Sequence, residues 1–306
     1  MTIVGSPSVV KLASQTIDHY FTGGTVSRIS LRFQELLQQR RRALIMYLTV
    51  GFPQRDSTTE LVPAIVEAGA DMIELGVPFS DPLADGATVQ RATQIALANG
   101  VRVSSCLQTV RELRKRGVVV PMLLMGHYNP LLQYGLERFC ADATDAGVDG
   151  LIIPDLPPEE ATDLHAACQT HGLDLIFLLA PTSTDERIGQ VANLAAGFIY
   201  CVALTGTTGA RAELPAELPQ FLSRVRSATQ MPLAVGFGIS EQSHARQVAA
   251  VADGVIVGSA LVEIVEQVAE HGVDAVRNFV AGLRDGVAEG EMAAGLPGPA
   301  PFIIQG

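Results

Sequence analysis

Residues 67–77 read EAGADMIELGV, in which a helix end, a glycine turn and a short apolar strand follow one another directly. The same succession recurs at residues 145–152, DAGVDGLI, and at residues 251–257, VADGVIV. Gly ends a helix well in such a turn because it adopts the left-handed backbone conformation without a Cβ penalty. Apolar strands that alternate with helical segments are typical of βα units, and they indicate a parallel sheet.

Eight such units lie along the chain. Their predicted strands cover residues 43–51, 71–77, 121–128, 150–156, 174–180, 198–204, 232–239 and 254–259. Eight units without a break in composition predict an α/β fold with one domain, a (β/α)8 or TIM barrel. An open doubly wound sheet is disfavoured, because the first strand ends in Thr49-Val50-Gly51-Phe52-Pro53 and not in a GxGxxG turn.

The barrel is predicted to span residues 27–289. An amphipathic segment at its start, with Ile29, Phe33 and Leu36 among its apolar residues, is expected to form a helix that closes the barrel floor. Residues 1–26 are rich in Ser and Thr and are predicted to be a flexible N-terminal extension, with an organelle transit segment as the alternative. Residues 290–306, rich in Gly, Pro and Ala, are predicted to be an irregular and dispensable tail.

The charge of the chain argues against one class of partner. The 306 residues carry a formal net charge of −11, whereas nucleic-acid phosphates are bound by clustered Lys and Arg. The one dense basic run, Arg40-Arg41-Arg42, is predicted to cap the end of the first helix. No segment has the roughly 20 apolar residues that cross a membrane, and four separated cysteines without a CxxC pair fit a reducing compartment. A cytoplasmic protein is therefore expected.

The strand at residues 71–77 carries an unusual residue for a buried strand. Glu74 interrupts an apolar run, and strand alternation turns it inward, where a carboxylate is costly unless it has a task or a partner. No Lys or Arg lies at a neighbouring strand end, although a core Glu paired with a basic residue is the alternative. Without a cation nearby, burial is expected to raise the pKa of Glu74, so that it stays protonated near neutral pH and acts as an acid.

Asp85 is the second candidate catalytic residue. It follows Glu74 on a loop that Pro78 and Pro82 make rigid. In a β/α barrel the active site lies at the carboxyl ends of the strands, which is where this loop begins. The alternative for Asp85 is a cap on the helix that starts near Ala87, a common use of Asp.

Two glycine-containing turns predict a phosphate site. Gly236-Phe237-Gly238-Ile239-Ser240 and Val257-Gly258-Ser259-Ala260 follow the seventh and eighth predicted strands. Barrels that bind phosphate do so with the loops after these two strands and with a short helix N-terminus, although tight turns alone are the alternative. A third Gly-rich segment, residues 205–211, is expected to close over a ligand, with Gly209 extending the phosphate site; a plain surface loop is its alternative.

Other residues near strand ends have less specific interpretations. Tyr200 is expected to face the barrel interior, either near a ligand or as ordinary core. Asp155 is either catalytic or a loop anchor, and His127 is expected to line the pocket. The six histidines show no metal-ligand spacing, so no metal is predicted. No Lys lies at a strand end, which argues against a Schiff-base aldolase.

Four motifs together resemble the tryptophan synthase alpha chain family: ELGVPFSDPLADG at 74–86, TGTTGAR at 205–211, GFGIS at 236–240 and GSA at 258–260. The resemblance implies a lyase of tryptophan biosynthesis that cleaves indole-3-glycerol phosphate to indole and glyceraldehyde 3-phosphate by a retro-aldol reaction. It implies three catalytic residues: Glu74 as acid and base, Asp85 at the indole N–H and Tyr200 beside the ring. It implies a phosphate site at Gly209, Gly238, Gly258 and Ser259, and apolar walls at Tyr47, Leu124, Met125 and Ile152.

The resemblance also implies a partner. Family members bind a beta chain that carries pyridoxal phosphate and receives the indole, usually in an alpha2-beta2 heterotetramer, and no cofactor is expected in this chain. Residues 78–82 and 131–134 are expected on the docking face. The sequence departs from the family pattern in its N-terminal extension, in its tail and at Ala87, where members often carry Pro. Three alternatives stay open: a free-standing indole-3-glycerol phosphate lyase, a non-catalytic regulatory barrel subunit and a sugar-phosphate isomerase.

Overall fold

The computed structural model describes residues 26–82, 85–202, 215–236, 238–268 and 272–295. The predictions for residues 1–25, for Gly209 with the rest of the 205–211 loop and for residues 296–306 lie outside the described residues. The strands are β1 (Ala43–Thr49), β2 (Met72–Gly76), β3 (Met122–Met125), β4 (Gly150–Ile152), β5 (Asp174–Ile176), β6 (Leu178–Leu179), β7 (Ile199–Val202), β8 (Leu233–Gly236) and β9 (Gly254–Val257). The helices are α1 (Arg28–Gln38), α2 (Ser57–Glu67), α3 (Ala87–Ala98), α4 (Val103–Lys115), α5 (Tyr128–Tyr134), α6 (Leu136–Ala146), α7 (Thr162–His171), α8 (Asp185–Leu194), α9 (Leu218–Ala228), α10 (Gln242–Ala249), α11 (Ser259–Glu266) and α12 (Val273–Ala293), with a 3-10 turn at Pro158–Glu160.

The strands of the described chain form one parallel sheet in the order β5-β4-β3-β2-β1-β9-β8-β7-β6. Phe177 alone separates β5 from β6, which stand at the two ends of this order, so they are two halves of the strand predicted at residues 174–180. The sheet therefore nearly closes on itself with eight strand positions and helices outside. The predicted (β/α)8 barrel is confirmed.

Side-chain alternation along the strands separates two apolar layers. The outer layer packs the strands against the helices, and the inner layer fills the barrel with residues such as Ile45, Met72, Leu123, Ile176 and Ile256. Helix α1 closes the barrel floor as predicted. Ile29 and Leu36 are buried in the inner layer, and the ring of Phe33 lies 5.7 Å from that of Phe198.

Aspartates at the start of some βα units join neighbouring strands at the barrel floor. The Asp71 carboxylate accepts the backbone N–H of Leu44 at 2.9 Å, and Asp149 accepts that of Met122 at 2.8 Å. Arg114 donates to Asp149 at 2.6 Å, which supplies a cation for the buried charge. The Asp after these two glycine turns therefore ties β2 to β1 and β4 to β3.

Two of the three arginines after α1, Arg41 and Arg42, bind aspartates of the barrel floor. Helix α1 ends at Gln38 and has no basic residue in its last turn. Arg41 lies 3.6 Å from the Asp71 carboxylate, and Arg42 lies 2.9 Å from that of Asp253. The predicted helix-capping role is wrong, because full carboxylate charges attract these cations more strongly than the partial charges of helix carbonyls.

Helix α12 continues past Gly290, where an irregular tail is predicted to begin, and it ends at Ala293. Gly286 and Gly290 face α10 so closely that a Cβ atom on either would overlap a backbone carbonyl oxygen of that helix. The next residue, Glu291, is 1% exposed and accepts the backbone N–H of Arg42 at 2.7 Å. The predicted tail therefore starts too early, since residues 290–293 belong to the packed barrel.

Two glycines of α12 give a matched pair of substitutions. Gly290→Ala is expected to lower the free energy of unfolding by about 1–3 kcal/mol, because the added Cβ pushes α10 and α12 apart. Gly282→Ala adds a Cβ where nothing lies within 4 Å, and it is expected to raise stability by up to about 1 kcal/mol through helix propensity. Urea unfolding of both variants measures the two shifts. Shifts of the same sign would contradict the close contact at residue 290.

Candidate active site

Glu74 lies in the middle of β2, side by side with Tyr47 of β1 and Leu123 of β3. It is 0% exposed, and neither carboxylate oxygen has a hydrogen-bond partner among the described residues. Burial raises the pKa of Glu74 to about 8. The predicted unpaired carboxyl of raised pKa is confirmed, and the described chain gives it no basic partner. A carboxyl that keeps its proton at neutral pH is suited to act as a general acid.

Asp85 lies at the carboxyl end of β2, just before α3. Its backbone N–H donates to the Pro82 carbonyl at 3.1 Å, and the Gln90 side-chain amide donates to the Asp85 carbonyl at 2.9 Å. The N-cap of α3 is Gly86, and within the described residues no helix N–H donates to the Asp85 carboxylate. The alternative in which Asp85 caps α3 is therefore wrong. The Asp85 backbone is thus fixed by Pro82 and Gln90, whereas its carboxylate has no hydrogen-bond partner among the described residues.

Two ionisable groups act on the Asp85 carboxyl. Burial raises its pKa, the neighbouring His127 opposes the rise, and the like charge of Asp155 adds to it. Asp155 accepts the backbone N–H of Tyr128 through both carboxylate oxygens, at 3.0 and 3.2 Å. Asp155 thus holds the start of α5, which confirms the loop-anchor alternative for this residue.

Two tyrosines approach Glu74 inside the barrel. Tyr200 on β7 faces the interior, as predicted, and its ring fills the space that a side chain at Gly236 would need. Tyr47 on β1 fills the corresponding space beside Gly76. Burial raises the pKa of both phenols above the usual value, and the nearby Glu74 charge contributes to the rise. Both hydroxyls therefore keep their protons and serve as donors.

The apolar wall comes from the inner faces of β3 and β4. Met125 and Ile152 are register partners on these strands, and both side chains belong to the inner layer. Leu124 is 1% exposed and belongs to the outer layer, where the strands pack on the helices. The expectation that Leu124 lines the pocket is wrong, because adjacent residues of a strand point to opposite faces.

The candidate phosphate site lies after β8 and β9. Helix α11 begins at Ser259 with Gly258 as its N-cap, and its first turn has no acidic residue, so its free N–H groups favour an anion. Gly238 has φ +46°, a left-handed conformation, and a Cβ there would meet nothing within 4 Å. The backbone at Gly238 is thus open to an anion. Phosphate binding by these residues stays a prediction, as it does for Gly209.

His127 is the N-cap residue of α5, two positions after β3, which ends earlier than predicted. Its ring stacks on Phe79 with centroids 5.0 Å apart, and the side chain is 6% exposed. Neither ring nitrogen has a hydrogen-bond partner among the described residues. A buried polar ring without partners costs stability, which distinguishes His127 from a satisfied core histidine.

Two residues that shape the site carry little signal in the sequence. Gln90 binds the backbone of the Asp85 loop, and only its position in the first turn after that loop points to this role. Phe79 holds the His127 ring through a contact between distant chain segments, which no local pattern reveals.

The described residues contain no group of three or more His, Cys, Asp or Glu side chains arranged to hold a metal ion. No helix in the same ranges is long and apolar enough to cross a membrane.

Comparison with known proteins gives one consistent result. The sequence profile of the family described as tryptophan synthase alpha chain matches residues 33–288. The chain is 60% identical over 261 residues to the tryptophan synthase alpha chain of Roseiflexus sp. (strain RS-1), an alignment that covers 85% of this chain and 100% of that relative. It is 57% identical over 244 residues to the tryptophan synthase alpha chain of Chloroflexus aggregans, with 80% and 91% covered.

Solved structures agree with the sequence comparison. Tryptophan synthase subunit alpha from Legionella pneumophila str. Paris superimposes with a TM-score of 0.80 at 37% identity, over 86% of this chain and 99% of that one. A chain of Mycobacterium tuberculosis tryptophan synthase superimposes with a TM-score of 0.79 at 40% identity, again over 86% and 99%.

Proposed function

This chain belongs to the tryptophan synthase alpha chain family, and from this premise we propose that it cleaves indole-3-glycerol phosphate to indole and glyceraldehyde 3-phosphate. The observation that carries the proposal is Glu74, a fully buried carboxyl without a partner in the described chain and with a pKa near 8. Separating an indole ring from its side chain requires an acid that can protonate ring carbon C3 at neutral pH. A carboxyl of raised pKa meets this requirement.

One carboxyl serves the whole reaction. Glu74 gives its proton to C3 of the indole ring, and the carboxylate that results takes the proton from the hydroxyl on the carbon next to the ring. That carbon becomes the aldehyde of glyceraldehyde 3-phosphate, its bond to C3 breaks, and the electron pair returns to the ring as indole leaves. Glu74 ends the cycle protonated, so no net proton is consumed.

Asp85 stabilises the charge that appears between these two steps. Protonation at C3 leaves a positive charge on the ring nitrogen, and the Asp85 carboxylate accepts the ring N–H. Removed from water, this interaction is stronger than it would be in solution. Tyr47 lies beside Glu74 on β1, and Tyr200 faces the interior from β7. Met125 and Ile152 supply the apolar wall for the ring.

In this proposal the phosphate of the substrate binds after β8 and β9, across the barrel from the apolar wall on β3 and β4. The N–H groups at the start of α11, from its N-cap Gly258 and its first residue Ser259, and the open backbone of Gly238 receive its oxygens. Gly209 completes the site. The phosphate thus anchors the substrate away from the reacting carbon, so that its binding free energy positions the ring against Glu74.

We propose that the partner is a tryptophan synthase beta chain in an alpha2-beta2 heterotetramer. This chain needs no cofactor of its own, and pyridoxal phosphate is expected only on the beta chain. The docking face includes residues 78–82 and the helix α5, on which Leu132 is 51% exposed. We place the complex in the cytoplasm, since the four cysteines are free and buried.

Indole release from indole-3-glycerol phosphate tests the proposal directly. The isolated chain is expected to release indole slowly, and addition of a beta chain is expected to accelerate it. Fast release by the chain alone, without further effect of a beta chain, would favour the free-standing lyase. Binding of the substrate without cleavage under both conditions would favour the regulatory subunit, and sugar-phosphate isomerisation without indole release would favour an isomerase.

Two neighbours on β3 form a matched test of the apolar wall. Met125→Ala is expected to raise KM about tenfold, because the indole loses part of its wall, with little loss of stability. Leu124→Ala is expected to lower the free energy of unfolding by about 2–5 kcal/mol and to leave KM unchanged, because Leu124 fills the outer layer. Steady-state kinetics and urea unfolding separate the two effects. A raised KM in Leu124→Ala alone would reverse the assignment of the wall.

A further inference from the structure

The side chain of Gln90 binds the backbone around the candidate catalytic residue Asp85. Its amide nitrogen donates to the Asp85 carbonyl at 2.9 Å and to the Pro82 carbonyl at 3.3 Å. A side-chain amide has two N–H donors and a carbonyl oxygen only accepts, so these partners use both donors and determine the orientation of the amide. The backbone N–H of Gln90 donates to the Gly86 carbonyl at 2.9 Å. Gln90 therefore binds three carbonyl groups at or near Asp85.

These bonds fix the peptide groups on both sides of the Asp85 Cα atom. On one side the Asp85 N–H donates to the Pro82 carbonyl at 3.1 Å, and that carbonyl also accepts from Gln90. On the other side the Asp85 carbonyl accepts from Gln90 directly. Each peptide group is planar, so two fixed groups determine the backbone torsions of Asp85 and the direction of its Cα–Cβ bond. Its carboxylate therefore starts from a fixed point, although it has no hydrogen-bond partner of its own among the described residues.

Helix α3, which carries the amide, is itself fixed at both ends. In its first two turns Thr88 donates to Glu263 at 3.0 Å, and Arg91 donates to Glu266 through two bonds of 3.0 and 2.7 Å. Both acidic residues belong to α11, the helix that begins at the proposed phosphate site. The C-cap residue Asn99 donates to two backbone carbonyls in the loop after β1. The amide is thus attached to a helix that two other parts of the barrel hold in place.

We propose that Gln90 is a positioning residue, which holds the Asp85 backbone so that the carboxylate is directed at the ring nitrogen of the substrate. The inference rests on the proposed function, since it assigns Gln90 to the same reaction. A charge stabilises a transition state best when it is already in place before the reaction, and a displacement of about 1 Å can lower a rate about a hundredfold. Without the two side-chain bonds, the Asp85 carboxylate would have to be reoriented while C3 is protonated.

Gln90→Met tests the inference, because Met keeps the length of the side chain and removes both donors. The measurement is kcat and KM for indole release at pH 7, made on the chain with its beta chain. We expect kcat to fall about tenfold and KM to change less than about twofold, because Asp85 balances a charge that appears only in the reaction. Gln90→Glu keeps the shape of Gln, but its carboxylate only accepts, so it is expected to lose at least as much.

Gln94→Met is the matched control on the same helix. Gln94 lies one turn after Gln90 on α3 and is exposed. The same substitution there is expected to leave both kcat and KM unchanged. An equal fall of kcat in both Met variants would overturn the inference, because it would assign the loss to α3 as a whole and not to the amide that binds Asp85.

A double-mutant cycle shows whether Gln90 acts through Asp85. In the Asp85→Asn background, Gln90→Met is expected to lower kcat less than about twofold, because the charge that the amide positions is already absent. A role of Gln90 in packing alone would lower kcat by the same factor in both backgrounds. Independent losses of this kind would overturn the inference.

Two further results would also overturn it. Wild-type kcat in Gln90→Met or in Gln90→Glu would show that the reaction does not need the two donors. Loss of the folded state in both variants, measured by thermal melting, would assign the side chain to stability instead. The unmodified chain is assayed first: if it releases no indole the proposed function fails, whereas indole release with an unaltered kcat in Gln90→Met refutes the positioning role alone.

Discussion

Glu74→Gln is expected to lower the rate of indole release about a thousandfold, because it removes the only group that moves protons in the proposed cycle. Gln has nearly the same shape as Glu, so it fits the same inward position on β2 without a cavity or a clash. Its amide does not give up a proton at C3 and does not accept one from the hydroxyl. Single-turnover measurement of indole release, with substrate binding followed separately, assigns the loss to the chemical step.

The same substitution is expected to stabilise the fold above neutral pH. The pKa of Glu74 is about 8 in the folded chain and near the ordinary value of 4.5 in the unfolded chain. Between these values the folded chain holds a proton that the unfolded chain has released, so stability falls as pH rises, by about 1 kcal/mol per pH unit. Gln has no proton to lose and removes this penalty. The gain is therefore expected to grow from about pH 5 to about pH 8 and to level off above it.

Glu291→Gln is the matched control for Glu74→Gln. Glu291 is also almost fully buried, at 1% exposure, but it accepts the backbone N–H of Arg42 and pairs with Arg284. Neutralising Glu291 leaves the partly buried Arg284 cation with a weaker partner. This variant is therefore expected to lose stability and to keep its cleavage rate. Urea unfolding between pH 5 and pH 9 compares the two. A Glu74→Gln variant that cleaves at the wild-type rate, or loses stability as Glu291→Gln does, would refute the assignment.

The inward position of Glu74 was predictable from the sequence, whereas the outward position of Leu124 was not. A single charged residue inside an apolar run shows which residues of the strand point inward, because a buried carboxyl is expected only on the face that lines the site. The run Met122-Leu123-Leu124-Met125 has no polar residue. The run itself therefore does not show which of its residues face inward, and a shift by one residue moves every side chain to the other face. Only the pairing of β3 with β2 and β4 determines which residues of β3 face inward.

Distant contacts explain the other differences between expectation and structure. The glycines of α12 resemble helix breakers in sequence, but Gly286 and Gly290 meet the α10 backbone, a contact between segments about 40 residues apart. The arginines after α1 resemble helix caps, but their partners, Asp71 and Asp253, come from later turns of the barrel. The barrel itself was predictable because its signal repeats locally in every βα unit.

Asp85→Asn is expected to lower kcat/KM about a hundredfold, a smaller loss than that of Glu74→Gln. Asn still accepts the ring N–H, so the substrate binds in the same orientation. It carries no charge to balance the positive ring nitrogen that forms when C3 is protonated, so the loss falls on kcat and not on KM. Steady-state kinetics with the beta chain present measures both parameters.

Asp155→Asn tests whether the Asp85 carboxylate itself, and not the net negative charge of the barrel mouth, stabilises the reacting indole. Asp155 has the same charge and lies near Asp85, but it binds the backbone N–H of Tyr128, and Asn retains one acceptor for that bond. Because the like charge of Asp155 raises the pKa of Asp85, its removal is expected to move the acid limb of activity to lower pH and to leave kcat at neutral pH nearly unchanged. In Asp85→Asn the carboxyl whose titration produces the acid limb is absent, so the acid limb of activity is expected to disappear. Equal losses of kcat in the two variants would mean that the net charge of the mouth, and not a carboxylate directed at the ring nitrogen, stabilises the reacting indole.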